Sequence, residues 1–397
     1  MNESLDIFSP TRRNWLKASA ASLSTLLLSR AQLDAKEGTA PASMLVHSDS
    51  PPNSETVLNE LVESWITPNE KFYVRSHAPT PVLKSEEFEL SVEGLVHKPF
   101  KLRLSELQQR FKQHNVFATL TCAGNRRSEH SLVEPVKGVP WQAGAIGNAE
   151  WTGALLGDLL RRAELKSGAK HVWFEGVDQI QRSTAVIPFG ASIPIANSLQ
   201  HSKAMPGALV AFGMNGQPLP RDHGFPFRTL IPGMVGARSV KWLGKIIVSD
   251  QPSTNHYVAT AYKLVKKGTP EEWRSTSPIY NFVCNSVTCL PTPDSKLQSP
   301  TIQANGYALA DGIEGKTVAK VEVSSDGGKK WQLAKFTSPA KPYCWRLWAA
   351  AVSVDATTTA LLVRTTDSAG KTQPMKVDWN LKGYMFNAWH KTPIKVN

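Results

Sequence analysis

Beyond about Ser277, apolar residues recur at every second position in short runs. A period of two fits half-buried strands and little else. Val318-Ala319-Lys320-Val321-Glu322-Val323 alternates in this way. Ser325-Asp326-Gly327-Gly328 supplies a tight turn, and Trp331-Gln332-Leu333 begins the return strand. A further run over 361–366 is closed by Asp367-Ser368-Ala369-Gly370. Short strands at this spacing, with Gly and Asp at the turns, predict an immunoglobulin-like β-sandwich over residues 271–397. Such a module more often packs, binds or dimerises than catalyses.

The preceding stretch, residues 56–270, reads as mixed α+β. Glu89-Leu90-Ser91-Val92-Glu93-Gly94 predicts a strand, and so does His171-Val172-Trp173-Phe174-Glu175-Gly176. A capping Ser105 with Leu107 and Phe111 four apart predicts a short helix over 105–111. Leu155, Leu156, Leu159 and Leu160 predict an amphipathic helix within 153–163. The regular strand–helix alternation of a doubly wound fold is missing.

At the other end, Thr11-Arg12-Arg13-Asn14-Trp15-Leu16-Lys17 precedes an uncharged, mildly apolar stretch over 18–29. Ser29-Arg30-Ala31 follows with small residues about a plausible cut. These features in this order predict a Tat signal peptide over residues 1–31 and a periplasmic destination. Residues 32–55, rich in Ala, Ser, Pro and Asp, read as an extended or mobile arm.

Charge narrows the partners. The 45 basic and 33 acidic residues give +12, and removing residues 1–31 leaves +10. A basic balance suits nucleic acid, an anionic substrate or an acidic protein. The basic residues are dispersed and no nucleic-acid motif occurs, so nucleic acid is the poorest fit. No uncharged apolar run reaches the roughly 20 residues of a membrane span.

Four cysteines in so long a chain do not make a disulfide framework. Cys284 and Cys289 lack the second pair that a zinc site needs. They read as buried thiols or a local disulfide, and Cys344 as a core residue. Cys122 is different. Thr119-Leu120-Thr121-Cys122-Ala123-Gly124-Asn125-Arg126-Arg127 runs an apolar strand into a loop with one thiol and two arginines. Guanidinium groups favour a thiolate, a soft metal ligand, and offer forked donors to an oxyanion. Alone, the segment equally suits a buried structural thiol beside surface arginines. Two further clusters share its chemistry: Phe72-Tyr73-Val74-Arg75-Ser76-His77-Ala78-Pro79, and the Gly- and Pro-rich stretch 219–242 with His223, Arg228 and Lys241.

These three clusters, in this order, resemble the molybdenum sulfite oxidase family over about residues 55–390. The resemblance implies a sulfite-oxidase-type molybdopterin domain ahead of the sandwich. It implies a molybdenum–molybdopterin (Mo-pyranopterin) cofactor with Cys122 as the sole protein ligand to the metal. Tyr73, Val74, Arg75, Ser76, His77, Asp178, His223, Arg228, Ser239, Val240 and Lys241 match the cofactor's contacts. Arg75, Arg127, Trp141 and Tyr262 match the substrate pocket, and Arg346 is the candidate for a third basic group from the second domain. Arg238 reads as solvated.

The implied reaction is oxidation of sulfite to sulfate, and relatives suggest a homodimer. Animal members carry a haem domain, but the stretch before Glu55 is too short for one and no C-x-x-C-H motif occurs. The expectation is therefore no haem in this chain and an external c-type cytochrome as electron acceptor. A nitrate reductase or a subunit of a thiosulfate-oxidising complex would share Cys122 and the pterin anchors. A non-catalytic periplasmic anion-binding protein would hold no molybdenum.

Overall fold

The computed structural model describes residues 43–202, 205–298 and 300–397, so the signal-peptide reading lies outside the described residues. Residues 44–56 are not a free arm. Met44–Ser48 pairs with Asn53–Thr56 as a hairpin, and Asn53–Thr56 pairs in turn with Val74–Arg75. A composition without periodicity concealed this, because the hairpin is held by polar groups. Buried Glu55 accepts the Gln142 and Gly144 N–H groups, each at 2.8 Å, and contacts the His47 ring.

Two five-stranded sheets form the body of the first domain. One is mixed, in the order Gly190–Pro194, His171–Gly176, Leu243–Ser249, Leu90–Gly94, Phe100–Leu102. Its inward residues, Leu90, Val92, Val172, Phe174 and Ile246, pack against Leu156, Leu159 and Leu160. The helix that carries these leucines spans Leu156–Ala163, shorter than the pattern implied. Ala154 and Leu155 face Val210 and Leu209 across a strand pair, and this pairing claims them for the sheet.

The second sheet runs Gln217–Pro218, Leu209–Met214, Ile146–Leu155, Gln113–Thr121, with Arg228–Leu230 also on Leu209–Met214. Its register is unbroken from Gln113 opposite Ala154 to Thr121 opposite Ile146. Burial deepens along Gln113–Thr121, so this strand delivers Cys122 to the interior.

The sandwich follows. A four-stranded sheet (Asn285–Leu290, Thr301–Leu309, Arg346–Ser353, Lys335–Phe336) faces a five-stranded one. The latter is ordered Ser295–Leu297, His390–Val396, Ala360–Asp367, Val318–Ser324, Gln332–Leu333. Ile302, Val321, Val323, Trp348, Leu361 and Val363 fill the space between. The sandwich closes over the cysteine loop. Met385 N–H donates to Ala123 O at 2.7 Å, Arg126 Nη1 to Asn285 Oδ1 at 2.6 Å, and Asn125 Nδ2 to Tyr307 Oη at 3.1 Å.

All four cysteines are free and buried. Burial pushes the Cys284 and Cys344 thiols up to about 12 and raises Cys289 as well. Protein denatured without reductant should therefore release the Cys284, Cys289 and Cys344 thiols to an aromatic disulfide reagent, and native protein should react slowly at all three. A denatured count lower by two would show the local disulfide instead.

Candidate active site

Cys122 leaves the end of its strand with its N–H on Ala145 O at 2.9 Å. Its Sγ receives the Gly124 N–H at 3.4 Å. A Cβ at Gly124 would lie 2.6 Å from the Arg127 guanidinium, so a larger residue would displace that side chain. The next residue but one, Arg126, turns left-handed at φ 66 and sends its side chain away from the sulfur, to Glu129, Asn285 and Ala388 O. Arg127 donates to Lys382 O at 2.8 Å and Val139 O at 2.7 Å. Arg126 is thus committed elsewhere, while Arg127 stays against the cysteine loop with its Nε and Nη1 on backbone carbonyls.

The cysteine loop forms part of the wall of a cleft. Tyr73, Arg75, Ser76, His77, Cys122, Asp178, His223, Arg228, Ser239, Lys241 and Tyr262 all line it. Arg228 is buried over the Trp151 ring, 4.8 Å from its centre, and donates to His223 O at 2.9 Å. Burial pushes it down to about 10. Lys241 donates to Ser76 Oγ at 2.8 Å and Asp222 O at 2.7 Å, above Trp242. Burial, with Arg228 beside it, pushes Lys241 down to about 7. Burial, then Lys241 and Arg228, push His223 down to about 3, and its Nε2 meets Asn69 O at 3.2 Å. His77 is lowered well below the usual histidine range by burial and then by Arg75. Asp178 is raised by burial; it accepts the Phe189 N–H at 2.9 Å.

None of these cations is salt-bridged, although the Asp178 and Asp222 carboxylates in the same lining act on Lys241 from farther away. Among the described residues no carboxylate oxygen lies within 4.0 Å of Arg75, Arg228 or Lys241. Buried charge without a partner is costly, so the cleft is built to receive an anion. Its polar lining, from Tyr73 round to Tyr262, offers more hydrogen-bonding groups than a four-atom oxyanion can use. One soft sulfur at the wall, cations fit for a phosphate, and Gly236, where a Cβ would sit 2.6 Å from Tyr73 Oη, suit a phosphorylated metal-binding cofactor.

Other expected residues stand elsewhere. Val74 pairs with Ser54 and does not line the cleft; Val240 packs into the core of the first sheet. Trp141 is fully buried behind Gly124. Arg127 lies over the Tyr384 ring at 5.3 Å, and Tyr384 stacks on Tyr262 at 5.2 Å. Arg127 therefore reaches the cleft wall through two tyrosines. Arg346 is not brought to the cleft at all: it donates to Val318 O and covers Phe336. Trp345 and Leu347 face the domain junction, so strand alternation turns Arg346 to the opposite side. Arg238, expected in solvent, is fully buried, donating to Ile279 O and Tyr257 O against the Tyr262 and Tyr280 rings. The turn Gly236–Arg238 directs it inward.

Sequence reading missed the walls Phe72, Leu120, Phe189, Asp222 and Trp242, and missed Tyr384. Tyr384 stands in a stretch without periodicity, and only the closure of the sandwich brings it to Tyr262.

Comparison with known proteins agrees with this geometry. The family model "Oxidoreductase molybdopterin binding domain" matches residues 77–257, and "Mo-co oxidoreductase dimerisation domain" matches 276–397. Sulfite oxidase of Gallus gallus is 40% identical over 360 residues, 87% of this chain and 76% of that protein. The chain belongs to the molybdenum sulfite oxidase family. Nitrate reductase [NADPH] of Aspergillus niger is 34% identical over 87% of this chain, which spans 43% of that enzyme. The crystal structure of the sulfane dehydrogenase SoxCD from Paracoccus pantotrophus shares the fold, with TM-score 0.74, 23% identity and 89% of each chain covered. Family membership makes this chain a molybdopterin oxidoreductase, with the sandwich as the second domain.

The lowered Lys241 makes the cofactor-free protein pH-dependent. The unfolded lysine still holds its proton between about 7 and its ordinary 10.5, where the folded one has lost it. The unfolded state then binds more protons, so this lysine's contribution to stability rises with pH across that window. Melting temperatures of cofactor-free wild type should gain on those of Lys241→Met from pH 7 to 10; parallel profiles would contradict the assignment.

Proposed function

We propose that this protein oxidises sulfite to sulfate at a molybdenum–pyranopterin centre ligated by Cys122, and passes the electrons to an external c-type cytochrome. The observation that carries this reading is the set of cations without salt-bridge partners around a single sulfur in the cleft wall. A cleft that only bound anions would have no use for a soft ligand in its wall.

Sulfite and water give sulfate, two protons and two electrons, so two cytochromes are reduced in turn. The bound cofactor supplies the oxygen transfer and the two-electron redox step. The chain's own residues bind and orient. Arg228, Lys241 and His223 would hold the cofactor's phosphate, and Asp178, Ser239 and Tyr73 would hold its pterin. Arg75 draws the substrate oxygens. Tyr262, raised by burial, keeps its hydroxyl proton and so donates to the same anion. The Arg127–Tyr384 contact keeps the Tyr262 ring in place and adds positive field. Since this field attracts an anion across water, the apparent KM should rise with ionic strength.

The reading extends to export by the Tat route, a periplasmic site of action, a homodimer through the sandwich and no haem in this chain. The dimerisation-domain match over 276–397 supports the dimer. The twin arginine supports export. Among the described residues no helix is long and apolar enough to cross a membrane.

Purified protein from pterin-replete cells should contain molybdenum and reduce cytochrome c with sulfite but not with thiosulfate, and it should not oxidise a reduced viologen dye with nitrate. Cys122→Ser should lose nearly all turnover and most of the metal while its unfolding temperature stays close to wild type. Wild-type-like metal content and activity in that variant would refute the ligand assignment.

A further inference from the structure

The hairpin formed by Met44–Ser48 and Asn53–Thr56 lies outside the residues that either family model matches. It nevertheless touches Arg75, one of the residues that line the cleft. Asn53, 2% exposed, stands in register with Arg75. Its Oδ1 receives Arg75 Nη1 at 3.0 Å and the Ser76 N–H at 3.2 Å. Its Nδ2 donates to Pro51 O at 2.8 Å and Ser48 Oγ at 3.1 Å. The donation to a carbonyl fixes which end of the amide faces the arginine, because a carbonyl only accepts.

The other edge of the guanidinium is held as well. Arg75 Nη2 lies 2.8 Å from His77 Nε2. An arginine only donates, so Nε2 accepts and the ring proton sits on Nδ1. Arg75 Nη1 also donates to the Ser76 carbonyl. Each partner of this guanidinium is therefore a neutral acceptor. A carboxylate in the Asn53 position would grip Arg75 at least as firmly, but it would cancel the charge. An anion site needs the grip without the cancellation.

We propose that Asn53 is a positioning residue for the substrate site, aiming Arg75 at the cleft while leaving its full charge to a small oxyanion. The proposal rests on the sulfite reading above. It assigns the N-terminal hairpin a part in substrate affinity and not only in stability.

The test uses molybdenum-loaded wild type, Asn53→Asp, Asn53→Ala and the neighbouring control Ser54→Ala. Sulfite kinetics with cytochrome c, metal content, unfolding temperature and sulfate binding by calorimetry are measured for each. Asn53→Asp keeps the Oδ1 bonds to Arg75 and adds a charge. Its sulfite KM and sulfate Kd should rise roughly tenfold while kcat and molybdenum content hold, since ground-state binding alone is weakened. Its KM should also depend less on ionic strength than that of wild type. A purely structural role would leave that salt dependence unmoved.

Asn53→Asp also sets an oxygen against Pro51 O. Should that variant fail to fold, Asn53→Ala decides: a loosened Arg75 should raise KM several-fold at unchanged metal content. Wild-type affinities in a folded Asn53→Asp overturn the proposal, as do an unchanged KM in Asn53→Ala or an equal loss in Ser54→Ala. If wild type turns over no sulfite, the sulfite reading fails separately, and the sulfate calorimetry still decides whether Asn53 serves an anion site.

Discussion

Keeping positive charge in the interior without neutralising it is the constraint on which this structure depends. Three cations, Arg75, Arg228 and Lys241, line one cleft, and no carboxylate pairs with them among the described residues. Each is instead satisfied by carbonyl, hydroxyl or amide oxygens and, for Arg228 and Lys241, by an aromatic face. Such partners meet the hydrogen-bonding needs of the donors and leave the field intact. The unrelieved part of the desolvation penalty appears as the lowered Lys241 and Arg228. A bound anion would remove it, so affinity for the ligand and instability without it have one origin.

Rigidity is the second requirement, because a charge aims only if its support is stiff. The cysteine loop is held from three directions. The unbroken register between Gln113–Thr121 and Ile146–Leu155 sets where the loop begins. Glu55, from the N-terminal hairpin, ties down the backbone at Gln142 and Gly144, and Gln142 O in turn accepts the Arg126 N–H. The sandwich holds the far side through Asn285, Tyr307 and Met385. Arg126 explains why the motif carries two arginines in succession. Its left-handed backbone turns one guanidinium to the sandwich and leaves the other, on Arg127, toward the tyrosines.

Much of this was legible in the chain. Alternating runs announced the sandwich, and the leucines at 156, 159 and 160 announced a helix whose inward face is as expected. The site residues that the cleft gathers came almost entirely from three local clusters, because strand–loop motifs hold neighbouring residues in one place whatever the remote fold does. Errors arose where burial is decided at a distance. Arg238 looked solvated since nothing near it in sequence shows that Tyr257, Tyr262 and Tyr280 surround it. Arg346 looked like the second domain's contribution, but strand alternation gave that direction to Trp345 and Leu347.

The sequence by itself determined the period-two texture of the sandwich, the lone thiol at a strand end and the excess of positive charge, since composition and periodicity are local properties of the chain. Only the tertiary structure decided that the charge converges without salt bridges, that Tyr384 meets Tyr262, and that a hairpin beginning at Met44 reaches Arg75. Those are contacts between residues far apart along the chain. They follow from how sheets pair and domains close, and a linear pattern does not record which distant partners will share a buried space.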